Sequence, residues 1–362
     1  MNAAARTVPG RLLVVLPQPL GDAVLATPAL AALRAHLPRT HIVWAGRRAA
    51  QQALAGLPLR DAVVPLDGPP RRGVGGVRSA ARQLRSARAD AILLLPNSLS
   101  SALAARLARI PRRVGTGLSA ARRLLLTETV DVPLVGGRLV PRPMQDLYLD
   151  LVRPFGVVAG EPTAPRVVVE PFDRERAARR LAATGLAGPW LGIQPGAAFG
   201  ASKRIPPARL ADTVRAARAR HGWMPVVFAG PGEEQLAREV AAAIGPPCVA
   251  WDTDVPDVGE LKALLAALTV LLTADAGPRH LAEALGVPTV AFLGPTDPRW
   301  SGRSGATVVR REDLTCLGCH ARTCPLGHHA CLSALDPAQI LEALERTQAR
   351  AAARDGEAGQ HA

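Results

Sequence analysis

Val270-Leu271-Leu272-Thr273-Ala274-Asp275-Ala276-Gly277-Pro278-Arg279-His280-Leu281-Ala282-Glu283-Ala284-Leu285-Gly286-Val287-Pro288-Thr289-Val290 runs from one apolar stretch to another through a helix-like segment. A strand ends at Thr273, and Asp275 or Ala276 falls in the N-cap region of a helix whose first turn holds Pro278. Gly286 ends that helix, and Thr289–Leu293 returns as a strand. Strand, helix and strand in this order predict a parallel sheet with crossover helices. A helix N-terminus with a glycine that admits close approach is an anion site. Arg279 and His280 lie in the first turn, where a cation opposes the helix dipole. A bound phosphate reverses that sign, so the stretch reads as a binding site.

The same alternation extends in both directions. Towards the C-terminal half, strands are predicted at Val167–Val169, Trp190–Gln194, Val226–Ala229, Val270–Thr273 and Thr289–Leu293. Helices are predicted between them at 174–184, 207–220, 233–244 and 258–267, with a last helix over 337–350. Towards the N-terminus, the runs Leu12–Leu16, Ile42–Trp44, Ala62–Leu66 and Ala91–Leu95 read as buried parallel strands, with helices at 23–37 and 77–89. Pro and Gly accumulate over 133–165 around a helix at 144–155, so a boundary is expected there. The predicted organisation is α/β: an N-terminal doubly wound domain over 1–160, a second over 161–350 and a small polar tail over 351–362, expected to fray and be disordered. Two such domains facing across a cleft bring the carboxyl ends of both sheets to it.

At 362 residues two domains are expected, and 48% hydrophobic residues exclude wholesale disorder. No apolar stretch approaches the ~20 residues of a membrane span, and Pro17 interrupts Leu12–Leu16 where a secretory signal would continue. A cytoplasmic location is expected. Lys203 and Lys262 are the only lysines against 42 arginines, and the net charge is +14. Residues 71–123 hold twelve Arg and one acid, Asp90, for a local balance of +11. The plain reading is a solvated helical face; the sharper ones are an anionic membrane surface or glycolipid. Nucleic acid is disfavoured, because the segment has no aromatic residue for base stacking.

Two further stretches carry chemistry. Leu16-Pro17-Gln18-Pro19-Leu20-Gly21-Asp22-Ala23 follows the first strand and offers only Gly21 where a dinucleotide fold wants G-x-G-x-x-G, which argues against a dehydrogenase. It presents one carboxylate, Asp22, which either serves the reaction or caps a helix beginning at Ala23. Gln194-Pro195-Gly196-Ala197-Ala198-Phe199-Gly200-Ala201-Ser202-Lys203 leaves a strand through small residues that let backbone N–H groups approach an anion, with Lys203 adding a point charge.

Together these stretches resemble the bacterial heptosyltransferase family of glycosyltransferases over roughly residues 11–345, closest to its lipopolysaccharide heptosyltransferase II branch. "LPQPLGDAVLATPALAALRAHLP" resembles the family's opening turn, "IQPGAAFGASKRIPPARLADTV" its Pro-Gly loop, and "TADAGPRHLAEALGVPTVAFLGPTDPRW" its Asp-Ser/Thr-Gly-Pro-x-His signature. The resemblance implies a GT-B fold of two Rossmann-like domains and inverting, metal-independent transfer from ADP-heptose to the lipid A inner core at the inner membrane. Asp22 is then the base that deprotonates the acceptor. Lys203 serves catalysis and the donor together with Gly196, Asp275, Ala276, Gly277, Arg279 and His280; Glu234, or Glu233 in the alternative register, meets the adenosine ribose. Gly21, Arg78, Arg82 and Arg85 are assigned to the acceptor. Alternatives within reach of the same motifs are another nucleotide sugar or surface-glycan acceptor, and a non-catalytic nucleotide-sugar binder.

The chain departs from the family pattern at Ala276, which replaces the signature hydroxyl, and at Ala197, Ala198 and Phe199, where hydroxyl residues are common. Arg279 is the expected compensation. Cys316, Cys319, Cys324 and Cys331 are spaced C-x₂-C-x₄-C-x₆-C beside His320, His328 and His329. The set reads as a structural Zn²⁺ site, as reduced packing thiols or as a local redox pair, in each case pinning a loop.

Overall fold

Strands β1 (Arg11–Val15), β2 (His41–Gly46), β3 (Ala62–Pro65), β4 (Ala91–Leu94), β5 (Arg112–Thr116) and β6 (Glu128–Val130) form one parallel sheet in the order β3-β2-β1-β4-β5-β6. A small antiparallel hairpin, β7 (Leu134–Val135) and β8 (Arg138–Leu139), follows. Strands β9 (Trp190–Gln194), β10 (Met224–Phe228), β11 (Val249–Trp251), β12 (Val270–Ala274), β13 (Thr289–Phe292) and β14 (Thr307–Val309) repeat the same order in a second parallel sheet, β11-β10-β9-β12-β13-β14. The computed structural model describes residues 8–66, 73–158 and 163–360, with side chains through 354. The chain divides into two units, Met1–Val167 and Val168–Ala362. The boundary expected at 160/161 lies outside the described residues, as do Arg71 and Arg72 of the arginine-rich segment and residues 361–362 of the tail.

The central strands are apolar on both faces because helices cover both, as a parallel sheet demands. In the first unit Val14 pairs with Trp44 on one side and Leu93 on the other, all fully buried. In the second, Ile193 lies between Val227 and Leu272. Truncating any one of these to Ala costs about 2–5 kcal/mol. The strands the sequence reading does not anticipate, β5, β6, β7, β8, β11 and β14, are short or polar. Arg112 on β5 reaches both carboxylate oxygens of Glu128 on the edge strand β6 at 2.7 and 3.2 Å, a cross-strand pair that needs no apolar run.

Three elements depart from expectation. The helix predicted over 23–37 is two helices, Leu20–Leu25 and Thr27–His36. Pro28 has no N–H to offer the Val24 carbonyl, and the Thr27 hydroxyl donates to it instead at 2.8 Å. Val167–Val169 is not a strand; the Val168 carbonyl accepts from the buried Lys262 ammonium at 2.7 Å, which gives that lysine a structural role. The last helix runs Pro337–Gln360 rather than ending at Arg350, through the segment expected to be a frayed tail. Ala351–Ala353 and Arg354 are strong helix formers and carry it on.

The strand order reverses between β1 and β4 in the first sheet and between β9 and β12 in the second. Doubly wound sheets hold ligands outside the carboxyl ends of the strands at this switch point. All three stretches singled out by sequence leave a switch-point strand: Leu16–Asp22 follows β1, Pro195–Lys203 follows β9, and Asp275–His280 follows β12.

Candidate active site

In the first unit a cavity of ≈ 640 Å³ opens at the β1/β4 switch point. Leu16–Pro19 and Asp22 line it from the β1 side, and Leu95–Ser98, Ser100 and Ser101 from the β4 side. Asp22 is the third residue of the helix Leu20–Leu25; Pro19 takes the N-cap position and no side chain caps it. The helix-cap role for Asp22 is therefore excluded. Its charge is felt by Tyr148, another lining residue. Burial pushes the Tyr148 phenol well above its usual range, and the Asp22 carboxylate pushes it further the same way. Gly21 is buried beside Asp22 in the same turn and does not line the cavity.

The wall formed after β4 is fixed by Arg122, whose side chain is 1% exposed. Its guanidinium donates to the carbonyls of Pro96 (2.9 Å), Ser98 and Thr116 (2.8 Å) and to the Ser101 hydroxyl (3.3 Å). These partners are all neutral oxygens, and burial brings the Arg122 pKa down to about 10. Asn97 is held by the Thr116 hydroxyl at 2.8 Å. Sequence reasoning passed over Asn97, Ser98, Ser101, Arg122 and Tyr148. A run of small polar residues directly after a wholly apolar strand was the available signal.

The arginines expected to serve the acceptor do not line this cavity. The helix Gly73–Ser86 turns Gly76, Val77, Ser79, Ala80 and Gln83 to the cavity, whereas Arg78, Arg82 and Arg85 are exposed and do not line it. Arg85 donates to the carbonyls of Leu107 (2.6 Å) and Ala108 (3.4 Å), capping the C-terminal end of the helix Leu99–Leu107. Among the described residues, the cation that lines the cavity is Arg47.

In the second unit the loops after β9 and β12 meet through one ion pair. Lys203 Nζ lies 2.6 Å from Asp275 Oδ2 and 3.1 Å from the Asp275 carbonyl. Arg279 completes the network. Its Nη1 is 2.9 Å from Asp275 Oδ1, its Nε 2.7 Å from Glu283 Oε1 and its Nη2 2.6 Å from Ser304 Oγ. Burial alone would raise the Asp275 pKa, but Lys203 and Arg279 overcome it and hold the carboxyl well below the usual range. Burial opposes the Glu283 shift too, yet neighbouring His280, Arg279 and the Ser304 hydroxyl bring it to about 2.

This overturns the role expected of Arg279. Its side chain is 0% exposed. The cation in the first turn of Gly277–Ala284 is matched by carboxylates four residues before and four after it. The spacing was legible as one helical face. Ala276 is the N-cap and brings no side-chain bond to the first turn of Gly277–Ala284. His280 is largely buried with its Nδ1 lacking a hydrogen bond, 3.8 Å from Glu283.

Of the two glutamates after β10, Glu233 is the one built into the site. Its Oε2 accepts from the Gln194 amide and the Gly230 N–H, both at 3.1 Å, while the buried Oε1 has no partner. Burial pushes its pKa up. A Cβ on Gly196 would stand 2.5 Å from that carboxyl carbon, so Gly196 is required for the approach. Glu234 turns instead to the Gly232 N–H at 3.0 Å. Of the two registers expected, Glu233 lies against Gln194 and Gly230, and Glu234 against Gly232.

The four clustered cysteines are free, and with Ser202, His328 and His329 they line a cavity of ≈ 20 Å³. Among the described residues no three His, Cys, Asp or Glu side chains are grouped so that they could hold a metal ion, and the zinc reading finds no support. Among the described residues, too, no helix is long and apolar enough to cross a membrane.

Twin sheets of one strand order, with a carboxylate at the first switch point and a cation–carboxylate network at the second, define a glycosyltransferase of the GT-B class with two Rossmann-like domains. The glycosyltransferase family 9 (heptosyltransferase) profile matches residues 77–330. The chain belongs to that family. Lipopolysaccharide heptosyltransferase 2 of Salmonella typhimurium is 26% identical to it over 92% of this chain and 97% of that protein. The crystal structure of a family 9 glycosyltransferase from Veillonella parvula superposes with a TM-score of 0.79 at 24% identity, covering 94% of this chain and 97% of the other. E. coli ADP-heptose LPS heptosyltransferase II gives 0.75 at 25% identity, over 94% and 99%.

Proposed function

We propose that the protein transfers heptose from ADP-heptose to the inner core of lipopolysaccharide, by a metal-independent displacement that inverts the anomeric centre. The observation that carries this reading is the pairing of relatives with that activity, alike along nearly the whole chain, with a switch-point cavity that holds Asp22. The N-terminal unit takes the acceptor and the C-terminal unit the donor. Asp22 accepts the proton of the acceptor hydroxyl as its oxygen bonds to the anomeric carbon. The bond from that carbon to the β-phosphate oxygen breaks, and ADP leaves with the electron pair. Lys203 and the N–H groups at Gly277 stabilise the charge developing on the diphosphate. Glu233 meets the ribose hydroxyls, a reading supported by its Oε1, which has no hydrogen-bond partner. Asp275 and Arg279 act as positioning residues, because they fix Lys203 and the helix start.

The exposed arginines of Gly73–Ser86, Arg78 and Arg82, suit an anionic membrane surface, consistent with a cytoplasmic protein peripheral to the inner membrane. Calorimetric titration with ADP-heptose, UDP-glucose and GDP-mannose tests the donor assignment. Tight binding of ADP-heptose alone is expected, and preference for another nucleotide sugar would replace it with a different transferase.

A further inference from the structure

The diphosphate site, as built from Lys203, Asp275, Arg279 and Glu283, has a charge deficit. Its two cations are each bonded to carboxylates, two positive groups against two negative ones. A diphosphate brings further negative charge, and the loop after β9 meets it with Ala197, Ala198 and Phe199, which have no side-chain donors. Arg279 is buried and does not fill the gap.

Besides Arg204 at the end of this loop, a second exposed guanidinium stands over it. Arg322 belongs to the irregular segment that carries the cysteines, and its Cζ lies 5.5 Å from the centre of the Phe199 ring. The Lys203 ammonium is 5.0 Å from the centre of the same ring. Among the described residues no carboxylate pairs with Arg322, in contrast to both cations of the network.

The position of Arg322 is built, not incidental. Its carbonyl accepts from the Ser202 N–H at 3.0 Å. The Ser202 hydroxyl donates to the Ala321 carbonyl at 2.5 Å, and His329 Nε2 donates to the Ser202 carbonyl at 2.8 Å. A Cβ on Gly200 would stand 2.5 Å from the Arg322 carbonyl oxygen, so the backbone of the segment sits where Gly200 has no side chain. The four thiols gather around a small cavity that Ser202 also lines. Three hydrogen bonds thus tie the cysteine segment to the residue next to Lys203.

We infer that Arg322 is a donor-binding residue, a second phosphate-contacting cation that the cysteine segment delivers beside Lys203. This rests on the donor-site reading above. Its position over Phe199 supplies by guanidinium what the loop lacks in hydroxyls, with the planar fork suited to two phosphate oxygens.

The test is calorimetry of ADP and of adenosine against the wild type, Arg322→Ala and Arg322→Lys, with Arg346→Ala on the last helix as the charge control. Arg322→Ala should weaken ADP about ten- to a hundredfold, the range for a charged hydrogen bond. It should leave adenosine unchanged, with Arg322→Lys intermediate and Arg346→Ala like the wild type. Circular dichroism melting should be unchanged for Arg322→Ala, since its side chain has no carboxylate partner to strand. ADP affinity equal to the wild type in Arg322→Ala would overturn the inference and leave the donor site standing. Equal loss of ADP and adenosine would overturn it too, by showing a structural role. Failure of the wild type to bind ADP would sink the donor-site reading and this inference with it.

Discussion

Replacing Arg279 by methionine removes a buried guanidinium while keeping most of its volume. Asp275 and Glu283 are left behind, 9% and 12% exposed, with Lys203 on Asp275 and only His280 and the Ser304 hydroxyl beside Glu283. Stranding one side of a buried ion pair costs about 3–5 kcal/mol. Because Lys203 remains, the lower end is expected, about 3 kcal/mol. The pH dependence has a definite sign. Glu283 is held at about 2 in the folded protein against an ordinary value of 4.5. A depressed carboxyl contributes stability that is complete above the unfolded pKa and lost as pH falls through the folded one. The deficit of Arg279→Met should therefore be full at neutral pH and shrink from about pH 4.5 towards pH 2. Urea unfolding followed by tryptophan fluorescence reads it directly, since Trp190, Trp223, Trp251 and Trp300 all belong to the second unit and only Trp44 to the first. Stability within about 0.5 kcal/mol of the wild type at pH 7, the scatter of a surface substitution, would refute the network. So would a deficit that does not change with pH.

Three other outcomes follow from the site. Asp22→Asn should lower turnover about 10²–10⁴-fold while ADP binding by calorimetry stays at the wild-type level, because Asp22 belongs to the first unit and Lys203 and Asp275 to the second; transfer at the normal rate would remove Asp22 from the chemistry. Transfer should persist in excess EDTA with an unchanged circular dichroism spectrum, and strict restoration of activity by Mg²⁺ or Mn²⁺ would contradict charge stabilisation by Lys203 and the helix start. Joint replacement of Arg78 and Arg82 by Ser should weaken sedimentation with anionic vesicles, most at low salt, without changing ADP affinity; binding that is unaltered across a salt series would put the membrane contact elsewhere.

The fold was legible where burial on both faces forces apolar runs, as at β1, β2, β4, β9, β12 and β13. It was not legible at the sheet edges, where Arg112 and Glu128 pair across strands and three residues suffice for β6, β11 or β14. Val167–Val169 has strand composition but no strand to pair with. The loops of the candidate site were legible as segments that follow strands, and Asp22, Lys203 and Asp275 lie in those segments at the switch points. Charge matching across those loops was not. Sequence showed Arg279 as a cation at the wrong end of a dipole, and only the folded chain shows that Asp275 and Glu283 close around it. Arg85 and Arg122 illustrate the same limit, since both spend their donors on backbone carbonyls whose position depends on tertiary packing. Glu233 and Glu234 differ by one residue, and the turn of Gly230–Gly232 decides which is buried.

The central claim is heptose transfer, and the most direct measurement is mass spectrometry of a lipid A–inner core acceptor incubated with the enzyme and ADP-heptose. The acceptor should gain one heptose for each ADP released, and Asp22→Asn should suppress both together. ADP-heptose left unconsumed while the same acceptor is extended from a different nucleotide sugar would contradict the account.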